Sequence, residues 1–143
     1  MTSSFLPDVN VWIALHHVAH RHHASAAAWF GSLDSDAMLI FCRHTQIGMF
    51  RLLTTDTVMR GAPLTQKQCW AIYARWIDCG RAMLLADPAD VDAAFKRLTS
   101  ADTPSSEVWA DAYLAAFAET AGLTLVTFDK ALAEKARGAV LLG

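Results

Sequence analysis

The chain has 143 residues, 54% of them hydrophobic and 18% charged, with a formal net charge of −2. That length suits one domain, residues 1–143, with a proper core, and the composition contains no low-complexity tract of the kind that stays disordered. The near-neutral charge gives no overall basic footprint for nucleic acid, though a local patch would serve.

No apolar stretch approaches the roughly 18 residues of a membrane span. The MTSSFLPD start lacks the basic and apolar regions of a signal peptide. The expectation is a cytoplasmic chain with no membrane partner. Cys42, Cys69 and Cys79 are odd in number and lack C-x-x-C spacing, so buried, reduced thiols are expected.

In chain order, residues 5–8 read as a strand and 9–17 as a helix, followed by an Ala-rich helix over 22–33. AMLIF (37–41) is a short buried strand, and 43–54 has helical spacing through Ile47, Phe50 and Leu53. Thr65 caps a helix that runs to Cys79 and stops at Gly80. AMLLA (82–86) is a third strand, and Pro88 opens a helix over 89–99. A strong helix covers 105–122, from a Ser start to a Gly stop. LTLVTF (123–128) is the clearest strand, KALAEKA a short helix, and AVLL (139–142) a last strand.

Short apolar strands alternating with helices predict an α/β fold, a central parallel sheet of about four or five strands flanked by helices. Such sheets place their sites at the carboxyl ends of the strands. Two strands end there in aspartate: FLPD delivers Asp8 and LTLVTFD delivers Asp129. Asp111 sits in the small-residue helix before the second of them. Each acid alone can be a helix cap or a solvated charge, and Asp129, just before KALAEKA, is well placed to cap. Together at one sheet edge the three would repel one another and raise each other's pKa, which a divalent cation would relieve. Mg²⁺ and Mn²⁺ prefer oxygen ligands, and the chemistry natural to such a site is phosphodiester hydrolysis.

PDVNVWIALH, FRLLT and WADAYLAAFAETAGLTLVTFD, in that order, resemble a PIN domain and, more narrowly, the VapC-type toxin of a bacterial toxin–antitoxin pair. The resemblance runs over essentially the whole chain. It implies a Mg²⁺-dependent ribonuclease (Mn²⁺ as substitute) with RNA as substrate, a homodimer, and a cognate VapB-type antitoxin as partner. It makes Asp8, Asp111 and Asp129 the metal-site carboxylates, with Asn10 and Thr127 in support and Arg51 placed to meet phosphate. One departure stands out: many PIN domains carry a glutamate three residues before the helix-three arginine, and here that position is Gly48. Gln46 or His44 is a candidate to fill the gap. So is Glu107, one helical turn before Asp111.

Two features compete for attention. HHVAHRHH (16–23) holds five of the six histidines, and His16 and His20 have the i,i+4 spacing of a zinc pair. With no acid or cysteine beside them they read as a polar junction between two helices. The five tryptophans have apolar neighbours and helical spacing, so packing explains them better than base stacking, with Trp70, Tyr73, Trp76 and Ile77 as a stripe suited to a subunit or antitoxin interface. Arg43, Arg60, Lys130 and Arg137 also flank the predicted site.

The leading functional expectation is therefore a metal-dependent endoribonuclease toxin. The alternative is a catalytically weak PIN-like module that binds RNA or a partner, which Gly48 favours. A haloacid-dehalogenase-type phosphatase would want a second Asp two residues after Asp8, where Asn10 stands.

Overall fold

The computed structural model describes residues 3–143; Met1 and Thr2, the start of MTSSFLPD, lie outside the described residues. Five parallel strands, β1 (Ser4–Pro7), β2 (Met38–Phe41), β3 (Ala82–Leu84), β4 (Thr124–Thr127) and β5 (Val140–Leu141), form one sheet in the order β3-β2-β1-β4-β5. The helices between them are α1 (Val9–His16), α2 (His23–Ser32), α3 (Arg43–Leu53), α4 (Gln66–Asp78), α5 (Val91–Leu98), α6 (Val108–Ala121) and α7 (Lys130–Lys135). This is the predicted α/β architecture.

The pleat divides the core in two. Leu6, Ile40 and Leu125 pack with Leu114, Phe117 and Leu132 on the α6 side. Leu39 and Phe41, one residue out of phase with Ile40, pack with Trp12, Met49 and Leu53 on the other. The inner strands bury both faces, which is why a run such as MLIF is unbroken and apolar rather than alternating, whereas Met83 and Leu141 on the edge strands are exposed.

Because β2 and β4 lie on either side of β1, the chain reverses direction across the sheet between β1 and β4. A crevice opens at the carboxyl ends of such a strand pair. The register Phe5↔Thr124, Leu6↔Leu125 and Pro7↔Val126 brings the ends of β1 and β4 to one level.

Several expectations shift. The sixth helix starts at Val108, not Ser105, because residues 102–107 form an exposed loop and Glu107 takes the N-cap without a side-chain bond. Pro88 precedes its helix by three residues, as the Val91 N–H donates to the Pro88 carbonyl. Cys42 and Cys69 are buried free thiols, but Cys79 is exposed, since it follows the last turn of α4 rather than sitting on its packed face. The tryptophans split likewise. Trp12 is fully buried and Trp76 packs edge-on against it, whereas Trp70 and Trp109 are each about half exposed. The expected stripe on α4 thus turns Tyr73, Trp76 and Ile77 into the core and leaves Trp70 outside.

Candidate metal centre

Asp8 is at once the last ladder residue of β1 and the N-cap of α1. Its N–H donates to the Val126 carbonyl at 2.8 Å, and its Oδ1 accepts from the Val9 N–H at 2.7 Å. Its Oδ2 accepts from the Thr127 hydroxyl at 3.1 Å. Thr127 is fully buried at the end of β4, and its Oγ1 in turn accepts from the Asp129 N–H at 3.0 Å. Asp129 caps α7 through its Oδ1, which accepts from Ala131 and Leu132 at 2.9 and 3.3 Å. Asp111 lies in the first turn of α6. The amino ends of α1, α6 and α7 therefore carry these three carboxylates, and the positive ends of the helix dipoles favour them there.

Burial raises the Asp8 carboxyl above its usual 3.8; the Val9 and Thr127 hydrogen bonds oppose the rise, and the charges of Asp111 and Asp129 add to it. Burial, then Asp129, raise Asp111 too, while Lys135 and His44 act the other way. Three acids from three separate elements thus feel one another at the switch point of the sheet. The ion pair found among the described residues, Arg97–Glu119, involves none of them. As the side chains stand, no three His, Cys, Asp or Glu among the described residues are close enough to enclose a metal ion.

Comparison with known proteins shows the family of the chain. The model of the PIN domain family matches residues 5–138. The chain is 41% identical over 134 residues to Ribonuclease VapC41 of Mycobacterium tuberculosis, covering 90% of this chain and 91% of that one. The chain belongs to the PIN domain family, in its VapC ribonuclease branch. Among solved structures the fold matches Mycobacterium tuberculosis VapC20, a toxin that cleaves the sarcin–ricin loop, with a TM-score of 0.62 at 18% identity over 91% of this chain and 93% of that one. It also matches FitAB bound to a DNA fragment, with a TM-score of 0.61 at 22% identity over 96% and 93%.

Within this PIN domain the predicted site residues separate into two groups. Asp8, Asp111, Asp129 and Thr127 come together as described. Asn10, exposed on the first turn of α1, lines a polar cleft of about 290 Å³ with Asp129, Phe128, His20, Arg21 and His22. The other three predicted residues stand in different surroundings. Gln46 is buried, accepting from the Arg43 guanidinium at 2.6 Å and meeting the Tyr73 hydroxyl. Glu107 is exposed. Arg51 stands in the last turn of α3, about 12 Å along the helix from Arg43, where it lines an apolar groove with Ile47, Phe50 and Trp70.

Gly48 also takes on a different meaning. A Cβ built there would lie 2.6 Å from Cγ2 of Val9. The position faces the contact between α1 and α3, and a side chain there requires the Val9 side chain to give way. The glycine is thus accounted for by packing. Instead His44, in the first turn of α3, is close enough to act on Asp111. Lys135 does the same from α7, and sequence spacing offered no signal for it. The histidine cluster divides as well. His16 accepts from the Trp76 indole N–H at 2.6 Å through Nε2, which that bond occupies.

Proposed function

We propose that the chain is a Mg²⁺-dependent endoribonuclease, with Mn²⁺ as a substitute, acting over residues 1–143 as the toxin of a toxin–antitoxin pair. The observation that carries this reading is the set of three aspartates, from three separate elements, whose charges bear on one another at the β1–β4 switch point. The donors are all hard oxygens. Mg²⁺ commonly uses only one or two carboxylates and keeps several waters, which suits acids that share a field without enclosing an ion. Asp8, Asp111 and Asp129 would hold it, and when bound it would supply a water of lowered pKa and neutralise charge on the scissile phosphate.

The chain's own residues set the geometry. Val9 N–H and the Thr127 hydroxyl each occupy one oxygen of Asp8, fixing the carboxylate while leaving a lone pair on both. The backbone donors of α7 do the same for Asp129 through Oδ1 and leave Oδ2 to the site. Asn10 at the cleft mouth can donate to an RNA oxygen. The proposal extends to a VapB-type antitoxin as partner, a homodimer and a cytoplasmic place of action, and the likeness to VapC toxins supports the first of these. Among the described residues no helix is long and apolar enough to cross a membrane.

The test is cleavage of total RNA with Mg²⁺, with Mn²⁺ and with EDTA, beside an Asp111→Asn chain purified identically. Discrete cuts that require metal and vanish in the variant are expected. The absence of a ready three-ligand cluster favours a second reading, a PIN-like module that binds RNA or a partner without efficient cleavage. RNA retention with no metal-dependent cuts would establish it instead.

A further inference from the structure

The turn between α1 and α2 forms the wall of the cleft opposite Asp129, and the aspartate chemistry makes no use of it. It is a held turn rather than a loose junction. The N–H groups of His17, His20 and His23 donate to the carbonyls of Ile13, His17 and His20 at 2.8, 2.9 and 3.0 Å. The His23 ring is anchored on the Ala14 carbonyl at 2.7 Å. So fixed, the turn lays the His22 ring flat on Phe128, centroids 4.2 Å apart and planes 13° from parallel. Arg21 spends its Nε on the His22 ring at 3.0 Å, which leaves both terminal amino groups of its exposed guanidinium free. Among the described residues it has no carboxylate partner, although it lines the same cleft as Asp129. Arg60, held at a left-handed φ of 52°, is close enough to bear on the charge of His20. One wall of the cleft thus carries the Asp129 carboxylate, and the other sets the Arg21 guanidinium beside a flat ring stack.

We propose that this second wall is a nucleotide subsite: Arg21 binds a backbone phosphate of single-stranded RNA and the His22–Phe128 stack carries the neighbouring base. The assignment rests on the nuclease reading above. A guanidinium with two free amino groups matches phosphate bidentately. An aromatic stack accepts any unpaired base, whereas a duplex keeps its bases inside. The subsite therefore selects for single-stranded segments and not for a particular base.

The experiment measures binding of a short single-stranded oligoribonucleotide carrying one 2-aminopurine, in the Asp111→Asn background with Mg²⁺, over a salt titration. Arg21→Gln is expected to weaken binding and to lower the log–log salt slope by about 0.7, the value of one single-strand phosphate. Arg97→Gln removes the same charge beside Glu119, near the other end of α6, and should leave the slope alone. His22→Ala is expected to cost about fivefold or more in affinity and to abolish 2-aminopurine quenching, with His22→Phe restoring both. An Arg21→Gln chain with unchanged slope, or a His22→Ala chain with unchanged quenching, overturns the subsite. If the unsubstituted protein cuts RNA with metal while the variants bind as it does, the subsite alone fails. If it cuts nothing with metal, the nuclease reading fails and takes the subsite with it.

Discussion

Thr127 and Asp8, 119 residues apart, are joined by a 3.1 Å hydrogen bond, and the same hydroxyl oxygen receives the Asp129 N–H at 3.0 Å. One buried hydroxyl thus ties together two of the three acids. Thr127→Val keeps the shape and removes the hydroxyl, leaving one oxygen of Asp8 and the Asp129 N–H without their partner. A loss of about 1–3 kcal/mol is expected in urea unfolding, with RNA cleavage reduced at least tenfold. A variant of unchanged activity would mean that this hydroxyl only fastens the strand end.

Asp111→Asn separates repulsion from metal binding. In EDTA the variant should melt no lower than the unsubstituted chain, because a charge facing Asp8 and Asp129 has gone. With Mg²⁺ at about a hundred times its dissociation constant, the unsubstituted chain should gain roughly 5–10 °C and the variant little. Equal shifts in the two would place the cation elsewhere.

Gly48→Ala tests the packing account of the glycine. Alanine in a helix interior ordinarily gains about 1 kcal/mol over glycine. Here the Cβ would meet Val9 Cγ2 at 2.6 Å, and a net loss of about 1–3 kcal/mol is expected. Val9→Ala in the same chain should recover much of it. Gly48→Glu should destabilise further without raising cleavage; a more active Gly48→Glu protein would restore the lost-ligand interpretation.

Acid stability should carry two opposed contributions. Burial, with help from Arg75, lowers His16 from 6.5 to about 4, and its hydrogen bond from Trp76 needs the neutral ring. The unfolded chain takes up this proton below pH 6.5 and the folded chain only near pH 4, so stability is lost as pH falls through that window, by up to roughly 3 kcal/mol. Asp8 and Asp111, raised above 3.8 in the folded chain, act with opposite sign: the folded state binds their protons first, so stability recovers as pH falls from their raised values towards 3.8. Urea unfolding across pH should show His16→Gln removing most of the loss below pH 6.5. Parallel curves for the two proteins would mean that the ring is protonated in the fold.

The sequence by itself determined the layers and the strand ends. Short runs such as MLIF and LTLVTF, alternating with helical stretches, point to strands of a covered parallel sheet, and an acid that follows such a strand lies at the edge where parallel sheets open. Asp8 and Asp129 were legible for that reason, and Thr127 through the family pattern. Asp111 was legible as a charge among small packing residues, and the family pattern gathered all four. The tertiary structure decided what depends on distances between elements. Val9 closing on Gly48 gives that glycine a packing reason that spacing along the chain does not show. The turn of α3 sends Gln46 to Arg43 and Tyr73, carries Arg51 away from the acids, and brings His44 towards Asp111. Above all, HHVAHRHH has no periodicity to show which ring is buried. Only the fold, by placing the β4 end beneath that turn, sends His16 to Trp76 and lays His22 on Phe128. Spacing along a chain fixes which face of its own element a residue occupies; which neighbour that face meets is set by packing between elements far apart in sequence.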